Sequence, residues 1–570
     1  MKKLAVWFSF ILVAAAWAAP QGPAEKADLV LRHGRIYTMD AARSWAESVA
    51  IRGGTIVYAG ADRGIQEWVG KDTKAIELNG RYVMPSFIDS HVHPLGAGIA
   101  LNQLVLDDLT TKDQILEAVK KYAAEHPDAK WILGGGWTLP AFPAANPQKE
   151  WLDALVPDRP VYLGSADGHS AWVNSKALEL AHVTKDTTDP VGGRIERNTQ
   201  GEPSGTLRES AVDLVDKVSP PPTPEERIAG LQKAVGIMNR YGITGFNDAS
   251  LSEEGLIAYT EADRRGLLTA RVAGSMYADP DGALEKVLGQ VKTLKQWREK
   301  YRTQNFRATT VKIFEDGVIE ANTAGMLQPY LDRNGDSGKL LWEAQTLNPF
   351  VELIDREGFQ VHFHAIGDRA VRTALDALEA ARKTNGVRDT RPFLAHIEVI
   401  DPADIPRFVK IGASPCFQPL WSFEDDYISD LTKPKMAQER WQWIYPIESV
   451  ERTGAVVSMG SDWNVSSVNP LEGIEVAVTR RSPGNEPDSR DTFLPEQRID
   501  VAAGLAAYTI GSAWTNYWDK ETGTIEAGKS ADLIALSENP FEVDPSKLSD
   551  IKVLLTLFKG KDVYHDPEWR

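Results

Sequence analysis

The chain has 570 residues, of which 42% are hydrophobic and 25% charged, so disordered and collagen-like classes are excluded. Its 63 basic and 80 acidic residues give a net charge of −17, which argues against nucleic acid as a partner because phosphate recognition needs a basic face. The single cysteine, Cys416, excludes an intrachain disulfide and any metal site built from several thiolates.

Residues 1–18 have the features of an export signal. A basic start at Lys2 and Lys3 precedes the apolar run Leu4–Ala16, and a small-x-small cleavage pattern ends at Ala18. The run is too short to span a bilayer comfortably, and no later stretch reaches the roughly 18 apolar residues that would. We therefore expect an exported protein, placed in the bacterial periplasm and without a stable membrane span.

Short strands are predicted at both ends of the mature chain. Residues 27–84 alternate apolar and polar side chains with glycines between the runs, which is typical of antiparallel strands. A similar texture returns in residues 516–570. Because chain termini often lie close together, we expect the two parts to form one small β domain.

Between these parts, residues 85–515 alternate short apolar runs with helical stretches. This alternation predicts a parallel sheet, either a (β/α)₈ barrel or a doubly wound sheet. One helix start is well marked, because Thr223-Pro-Glu-Glu226 offers an N-cap, a proline at N1 and a capping-box glutamate. Residues 131–222 fit the alternation poorly and are predicted to be an insertion on the barrel that covers the site.

Histidines follow three of the apolar runs. His91 and His93 form one His-x-His pair, His362 and His364 form a second, and His396 ends another run. Side chains at i and i+2 share one face of a strand, and barrel active sites lie where the carboxyl ends of the strands meet. The pattern therefore predicts a cluster of imidazoles at one rim of a barrel.

Two further runs contribute Lys312 and Asp462. Taken singly, each residue has a common structural role, since a strand lysine is usually solvated and an aspartate often caps a helix. Together with the histidines they supply imidazole nitrogen and carboxylate oxygen, which zinc favours in catalytic sites that keep a position open for water. Because the chain has no usable thiolate, we predict a zinc site of this type.

The sequence resembles the metal-dependent amidohydrolase superfamily, in particular amidohydrolase family 3 and its branch of N-substituted-formamide-deformylase-like proteins. The matching motifs follow the family's order over essentially the whole mature chain: Met84–His93, Asp167–Ser175, Val311–Gly317, His362–Ala370, Ala395–Glu398, Met459–Trp463 and Gly523–Asp532. The resemblance implies an α/β fold, with a TIM-like (β/α)₈ barrel and a small β-sandwich domain built from both termini.

The resemblance also implies the roles of individual residues. The implied metal ligands are His91, His93, Lys312, His364, His396 and Asp462. Lys312 matches a position where many relatives have a carboxylated lysine that bridges two metals, and Asp462 matches the catalytic aspartate that also shuttles protons. The expected cofactor is one or two divalent ions, zinc in the first place, with manganese or iron as alternatives.

The residues expected to contact substrate are less sharply defined. Three roles of His362 stay open, namely orienting one of the metal ligands, facing the substrate and binding the metal itself. His169 resembles a family segment near the substrate, with a structural turn histidine as the alternative. Gln418 and Trp421 after the sixth strand, and Trp137 after the triple glycine, are also predicted to face the substrate.

The expected reaction is hydrolysis of a C–N bond in a small-molecule amide, in particular a linear N-acyl or N-formyl amide. A base deaminase is disfavoured because His364 is not followed by the His-x-x-Glu spacing of those enzymes. A cyclic amide or lactone hydrolase of the same superfamily stays open. So does a different class, a non-catalytic binding protein on a degenerate barrel. The sequence does not fix the oligomeric state, with a homodimer among the options.

Overall fold

A central parallel sheet of eight strands carries the histidine motifs. The computed structural model describes residues 25–107, 109–484 and 492–569, so the predicted export signal lies outside the described residues. Numbered β1 to β8 in chain order, the strands of this sheet are Phe87–Val92, Ile243–Leu251, Arg271–Tyr277, Phe306–Phe314, Gln360–Ala365, Phe393–His396, Ser414–Phe417 and Ser458–Met459. Each strand pairs in parallel with the next.

The two ends of this sheet meet and nearly close it into a barrel. Beyond β8, the backbone N–H of Asp462 donates to the carbonyl of His91 at 2.8 Å, and the N–H of His93 donates to the carbonyl of Trp463 at 2.8 Å. We call this junction the seam. It excludes the doubly wound alternative, in which the sheet stays open, and confirms the predicted TIM-like barrel.

Helices alternate with the strands and cover the outside of the barrel. The longer ones are Pro224–Arg240, Glu253–Arg264, Leu284–Lys300, Ala344–Arg356, Asp368–Asn385 and Pro470–Thr479. Shorter helices are Pro94–Ala100, Arg407–Ile411, Ile447–Glu451, Val501–Ala506 and Ser512–Thr515. The predicted capping box is confirmed, since Thr223 and Glu226 each accept a hydrogen bond from the other's backbone N–H.

An inserted domain between β1 and β2 carries its own six-stranded sheet. Its strands are Leu104–Val105, Ile132–Trp137, Val161–Ser165, Ser170–Val173, Gly193–Arg197 and Pro203–Glu209, with helices Lys112–Glu125, Lys149–Asp153, Ser175–Leu180 and Asp213–Asp216. The sheet begins at Leu104, upstream of the predicted start at residue 131. The sequence analysis missed this part because a two-residue strand followed by a 14-residue helix reads like one more barrel unit.

Both termini contribute to a β-sandwich beside the barrel. A four-stranded sheet consists of Leu29–Arg32, Ser48–Arg52, Thr55–Gly60 and Lys74–Glu77. A six-stranded sheet mixes the two ends of the chain, with Arg35–Tyr37, Trp45–Ala46, Tyr82–Pro85, Leu533–Leu536, Val553–Phe558 and Lys561–His565. The sheets share an apolar core that joins Val49 and Ile51 of one to Leu533 and Leu555 of the other. The predicted β-sandwich is thus confirmed.

Within the described ranges, no helix is long and apolar enough to cross a membrane.

Cys416 lies on β7 and is fully buried, and burial raises the pKa of its thiol to about 12. A thiol in that state stays protonated and unreactive near neutral pH.

Candidate metal centre

Strand ends at the barrel rim bring imidazoles and one carboxylate together. Nε2 of His91 and Nε2 of His93 lie 3.5 and 3.1 Å from Oδ1 of Asp462. Nδ1 of His396 lies 3.9 Å from the other oxygen, Oδ2. His91, His396 and Asp462 are buried and offer ligand atoms that all lie within 4.8 Å of one another. The structure therefore assembles, from three strand ends, a donor set of the kind that binds a divalent metal.

Two atoms of this cluster lack the partners that burial normally requires. His396 Nδ1 and Asp462 Oδ1 are buried without a hydrogen bond, although buried polar atoms are nearly always paired. Burial alone would raise the pKa of Asp462, but its contacts with the imidazoles of His91 and His93 hold it well below its usual range. An ionised carboxylate beside an unpartnered imidazole nitrogen fits a divalent cation.

A hydrogen-bond chain behind His91 sets the direction of its ring. His91 Nδ1 lies 2.8 Å from His362 Nε2, and His362 Nδ1 lies 2.9 Å from Ser275 Oγ. The Ser275 hydroxyl donates to Asn247 Oδ1 at 2.8 Å. The consistent assignment has each imidazole donating from Nδ1, which leaves the lone pair of His91 Nε2 directed at Asp462.

This chain decides the open role of His362. The residue is fully buried beneath His91, stacks on Phe393 with ring centroids 4.0 Å apart, and is not part of the cavity wall. The structure does not bring His362 to the cavity, because its ring lies inside the barrel next to His91. In this position it orients the ring of His91.

Lys312 lies inside the barrel on β4, fully buried. Its Nζ is 3.5 Å from His362 Nε2 and lies over the ring of Phe314. Burial lowers the pKa of this amine to about 7. Lys312 is therefore not exposed to solvent, unlike most lysines in strands.

His364 and His169 form the wall of the site on the side of the inserted domain. The ring of His364 lies 4.4 Å from that of His396 and 5.0 Å from that of His169, and its Nε2 is 3.3 Å from the carbonyl of Gly317. Nδ1 of His169 lies 2.7 Å from Oε2 of Glu209. Burial would lower the pKa of His169, but the charge of Glu209 raises it to about 9.

Glu209 was missed by the sequence analysis. It ends the last strand of the inserted sheet, and its other oxygen accepts from the hydroxyl of Thr323 at 2.7 Å. No motif or spacing links it to His169, because the pairing is made by the fold of the insertion. The inserted domain therefore supplies part of the wall of the site.

The backbone at two cluster residues is held in an uncommon conformation. His396 and Asp462 have φ values of 77° and 54°, in the left-handed region that costs a non-glycine residue about 1–3 kcal/mol. Next to Asp462, the Ser461 hydroxyl donates to Asp89 Oδ2 at 2.6 Å and its N–H donates to Oδ1 at 3.1 Å. These hydrogen bonds across the seam hold the segment that carries Asp462 in place.

The cluster opens into a cavity of about 620 Å³. Trp421 lines it and stacks almost parallel to His396, with ring centroids 5.5 Å apart and planes 7° apart. His169, one of the predicted substrate contacts, also lines it. Further carboxylates in its wall, Asp167, Glu320 and Glu398, were not among the predicted site residues.

Two of the predicted substrate contacts, Trp137 and Gln418, lie outside the cavity wall. The indole of Trp137 is fully buried in the core of the inserted domain, where Nε1 donates to the carbonyl of Leu163 at 2.8 Å. Gln418 is also fully buried, with its amide nitrogen 3.9 Å from the sulfur of Cys416. The ring of Trp137 packs within the core of the inserted domain, whereas Gln418 Oε1 is buried without a hydrogen-bond partner.

A buried His/Asp cluster at the strand ends of a parallel barrel defines a metal-dependent hydrolase of the TIM-barrel class. The chain belongs to the amidohydrolase family, whose profile matches residues 74–564. It is 31% identical over 539 residues to the putative amidohydrolase YtcJ of Bacillus subtilis (strain 168), covering 93% of this chain and 98% of that protein. It is 26% identical over 548 residues to the N-substituted formamide deformylase of Arthrobacter pascens, covering 94% and 97%.

A solved structure has the same fold. The crystal structure of an uncharacterized metal-dependent hydrolase from Pyrococcus horikoshii OT3 superposes with a TM-score of 0.73 at 24% identity, covering 91% of this chain and 99% of that chain. The family and its members establish the protein as a metallo-hydrolase that acts on C–N bonds. A non-catalytic binding protein is thereby excluded.

Proposed function

We propose that the protein hydrolyses a linear N-acyl or N-formyl amide with the help of a bound zinc ion. The observation that carries this proposal is the buried group of His91, His396 and Asp462, whose unpartnered atoms lie at the wall of a cavity large enough for a small molecule. The similarity to a relative named for N-substituted formamide deformylation supports the substrate class.

His91, His93, His396 and Asp462 would hold the ion, with His364 beside them. When bound, zinc supplies Lewis-acid activation of water and of the amide carbonyl. We further propose that Lys312 is carboxylated and contributes to a second metal position. Two observations support this proposal. Lys312 is completely buried, and the pKa of its amine is lowered to about 7. A larger share of the amine is therefore uncharged, and the uncharged amine is the form that reacts with carbon dioxide.

Asp462 has the properties of the proton carrier. Its Oδ1 is ionised and unpartnered, so it can accept a proton from the attacking water and deliver it to the leaving nitrogen. The C–N bond then breaks to give a carboxylic acid and an amine. His169, held through Nδ1 by Glu209, has Nε2 as the atom that can donate to the oxygen of the substrate.

The surroundings of His364 support amide hydrolysis over base deamination. The next carboxylate along the chain, Asp368, is bound by the guanidinium of Arg440 and by the backbone N–H of Leu327, so it is committed away from the site. No glutamate follows His364 at the deaminase spacing to protonate a ring nitrogen.

A hydrolysis screen tests the proposed function. Zinc-loaded protein is offered N-formyl and N-acetyl alkylamines, matched cyclic amides, and lactones, and release of acid and amine is measured. Turnover of the linear amides above the cyclic compounds is expected, and it should disappear on chelation and return with zinc. Preferential lactone or cyclic amide hydrolysis would overturn the proposal.

Export to the periplasm is also proposed, on the basis of the basic and apolar start of the sequence. Expression of the full chain in a bacterium, followed by mass measurement of the periplasmic fraction, should show a chain that starts after Ala18. An uncleaved chain confined to the cytoplasm would contradict it.

A further inference from the structure

The hydrogen-bond chain behind His91 does not end at Asn247. Nδ2 of Asn247 donates to Oδ1 of Asn516 at 3.1 Å. Asn516 follows the helix Ser512–Thr515, whose last residue accepts a hydrogen bond from Gln360 at the start of β5, so this helix lies at the amino end of the strands. The chain of hydrogen bonds therefore crosses the barrel, from the metal centre at one end to a helix at the other.

The amide of Asn516 can take only one orientation. Its Nδ2 lies 2.9 Å from the carbonyl oxygen of Ser512 and 3.3 Å from Oγ of Ser90. A carbonyl oxygen only accepts hydrogen bonds, so the nitrogen of the amide must face it. Rotating the amide by half a turn would bring two carbonyl oxygens together in the interior, where Asn516 is 1% exposed and water cannot relieve the repulsion. The carbonyl of Ser512 therefore fixes Oδ1 of Asn516 as an acceptor.

This orientation determines the direction of every other hydrogen bond in the chain. Oδ1 of Asn516 accepts from the amide of Asn247, so Oδ1 of Asn247 accepts from the hydroxyl of Ser275. That hydroxyl has only one proton to donate, so it accepts from Nδ1 of His362. Burial holds the pKa of His362 well below its ordinary value, so its neutral ring has no second proton. Nε2 of His362 therefore accepts from Nδ1 of His91.

The other side of the His91 ring favours the opposite tautomer. Nε2 of His91 lies 3.5 Å from Oδ1 of Asp462, and an ionised carboxylate attracts a proton onto a nearby nitrogen. A metal ion needs the lone pair of that nitrogen instead. The chain and the carboxylate therefore compete for the position of one proton. Oδ1 of Asp462 has no hydrogen-bond partner, as the tautomer imposed by the chain requires.

We propose that Asn247 and Asn516 are positioning residues of the metal centre, which hold the proton of His91 on Nδ1 and so keep Nε2 free for the ion. Neither residue is part of the cavity wall. This inference rests on His91 as a metal ligand in the proposed function, but not on the identity of the substrate. Because the carbonyl of Ser512 belongs to the helix at the amino end of the strands, the seating of that helix determines the tautomer of a ligand at the opposite rim.

Zinc affinity, measured by competition with a chromogenic chelator, tests the inference without any substrate. Ser275→Ala interrupts the chain, and its zinc Kd should rise by about 10–100-fold, the usual effect of losing a partner of a metal-binding histidine. Ser86→Ala is the matched control, because Ser86 is also a buried serine, 1% exposed, whose hydroxyl pairs with Thr244 outside the chain. The control should keep the original Kd. An original Kd in Ser275→Ala would overturn the inference.

A double variant distinguishes positioning through the chain from a general loss of packing. Asn516→Leu should raise the zinc Kd by at least about tenfold. When it is added to Ser275→Ala the Kd should rise no further, whereas independent effects would multiply. An unchanged Kd in Asn516→Leu, or a multiplied effect in the double variant, would contradict the role of Asn516. Asn247→Ala, in the middle of the chain, serves in the same comparison if Asn516→Leu does not fold.

The tautomer of His91 in the zinc-free protein separates this inference from the proposed function. Nitrogen-15 NMR of histidine-labelled protein reports which ring nitrogen carries the proton, and His91→Gln identifies the signals of this residue. We expect the proton on Nδ1 in the original protein and a growing share on Nε2 in Ser275→Ala. This result together with no amide hydrolysis would defeat the proposed reaction and leave the positioning chain standing. A proton on Nε2 in the original protein would defeat the positioning chain even if amides are hydrolysed.

Discussion

The two halves of the cavity differ in how they are built and in the charge they present. The metal half consists of His91, His396 and Asp462 at strand ends, where imidazole nitrogens surround one carboxylate. The carboxylate half consists of Glu320, Glu398 and their neighbours beyond the strand ends, with aromatic rings and no lysine or arginine among the described wall residues. Among the described residues, only the metal half brings three potential metal ligands close together.

Among these predictions, the substitution Asp462→Asn in the metal half should reduce activity most. The amide cannot accept the proton of the attacking water, so kcat/KM is expected to fall by about 10²–10⁴-fold. Steady-state rates on a linear amide, together with metal content, measure this. Asp430→Asn, at an exposed position, serves as the control. Near-normal turnover with metal bound would contradict the proton-carrier role.

Lys312→Ala should remove metal as well as activity. If a carbamate on this residue completes a second metal position, the variant should hold fewer ions per chain, and a short carboxylic acid should restore part of the activity. Elemental analysis with and without added propionate measures both effects. Lys410→Ala is the exposed control, since that side chain is 77% accessible. Retention of two ions in Lys312→Ala would refute the carbamate bridge.

Glu209→Gln should change the pH dependence of stability at the border between the two halves. The pKa of His169 is about 9 in the folded protein, above its ordinary value of 6.5. The stabilisation by the His169–Glu209 pair is therefore complete below pH 6.5 and is lost as the pH rises through 9.

Denaturant unfolding at pH 6 and pH 10 measures this loss, which should be on the order of 1–3 kcal/mol in the original protein and smaller in the variant. Glu285→Gln, at an exposed position, should keep the full loss. An unchanged pH dependence in Glu209→Gln would show that the pair does not hold His169 protonated.

Trp137→Phe should have the smallest effect on the site. The substitution removes the hydrogen bond to Leu163 and opens a small void in the inserted domain, which costs about 1–3 kcal/mol of unfolding free energy. Its KM for a linear amide should stay that of the original protein. Trp421→Phe, which changes the ring stacked on His396 in the cavity wall, is the matched comparison and should raise KM. The reverse outcome would restore Trp137 as a substrate contact.

The difference between strand ends and the segments beyond them also explains which residues of the site could be predicted from the sequence. Side chains at strand ends repeat with period two, and parallel strands end at one rim, so the meeting of His91, His396 and Asp462 followed from spacing and the barrel pattern. Glu209 and Glu320 reach the site through folded loops and an insertion, where contacts depend on tertiary packing. Trp137 shows the same limit, since its place after three glycines said nothing about which side its ring would face.

The hydrogen bonds across the seam have a consequence for biosynthesis. Asp89 and Ser461, which hold the segment of Asp462, are separated by 372 residues of chain. Because translation starts at the N-terminus, His91 and His93 leave the ribosome long before Ser461 and Asp462 are synthesised. The complete metal centre can therefore form only after nearly the whole barrel has been translated, which makes metal uptake a late event in the maturation of each molecule.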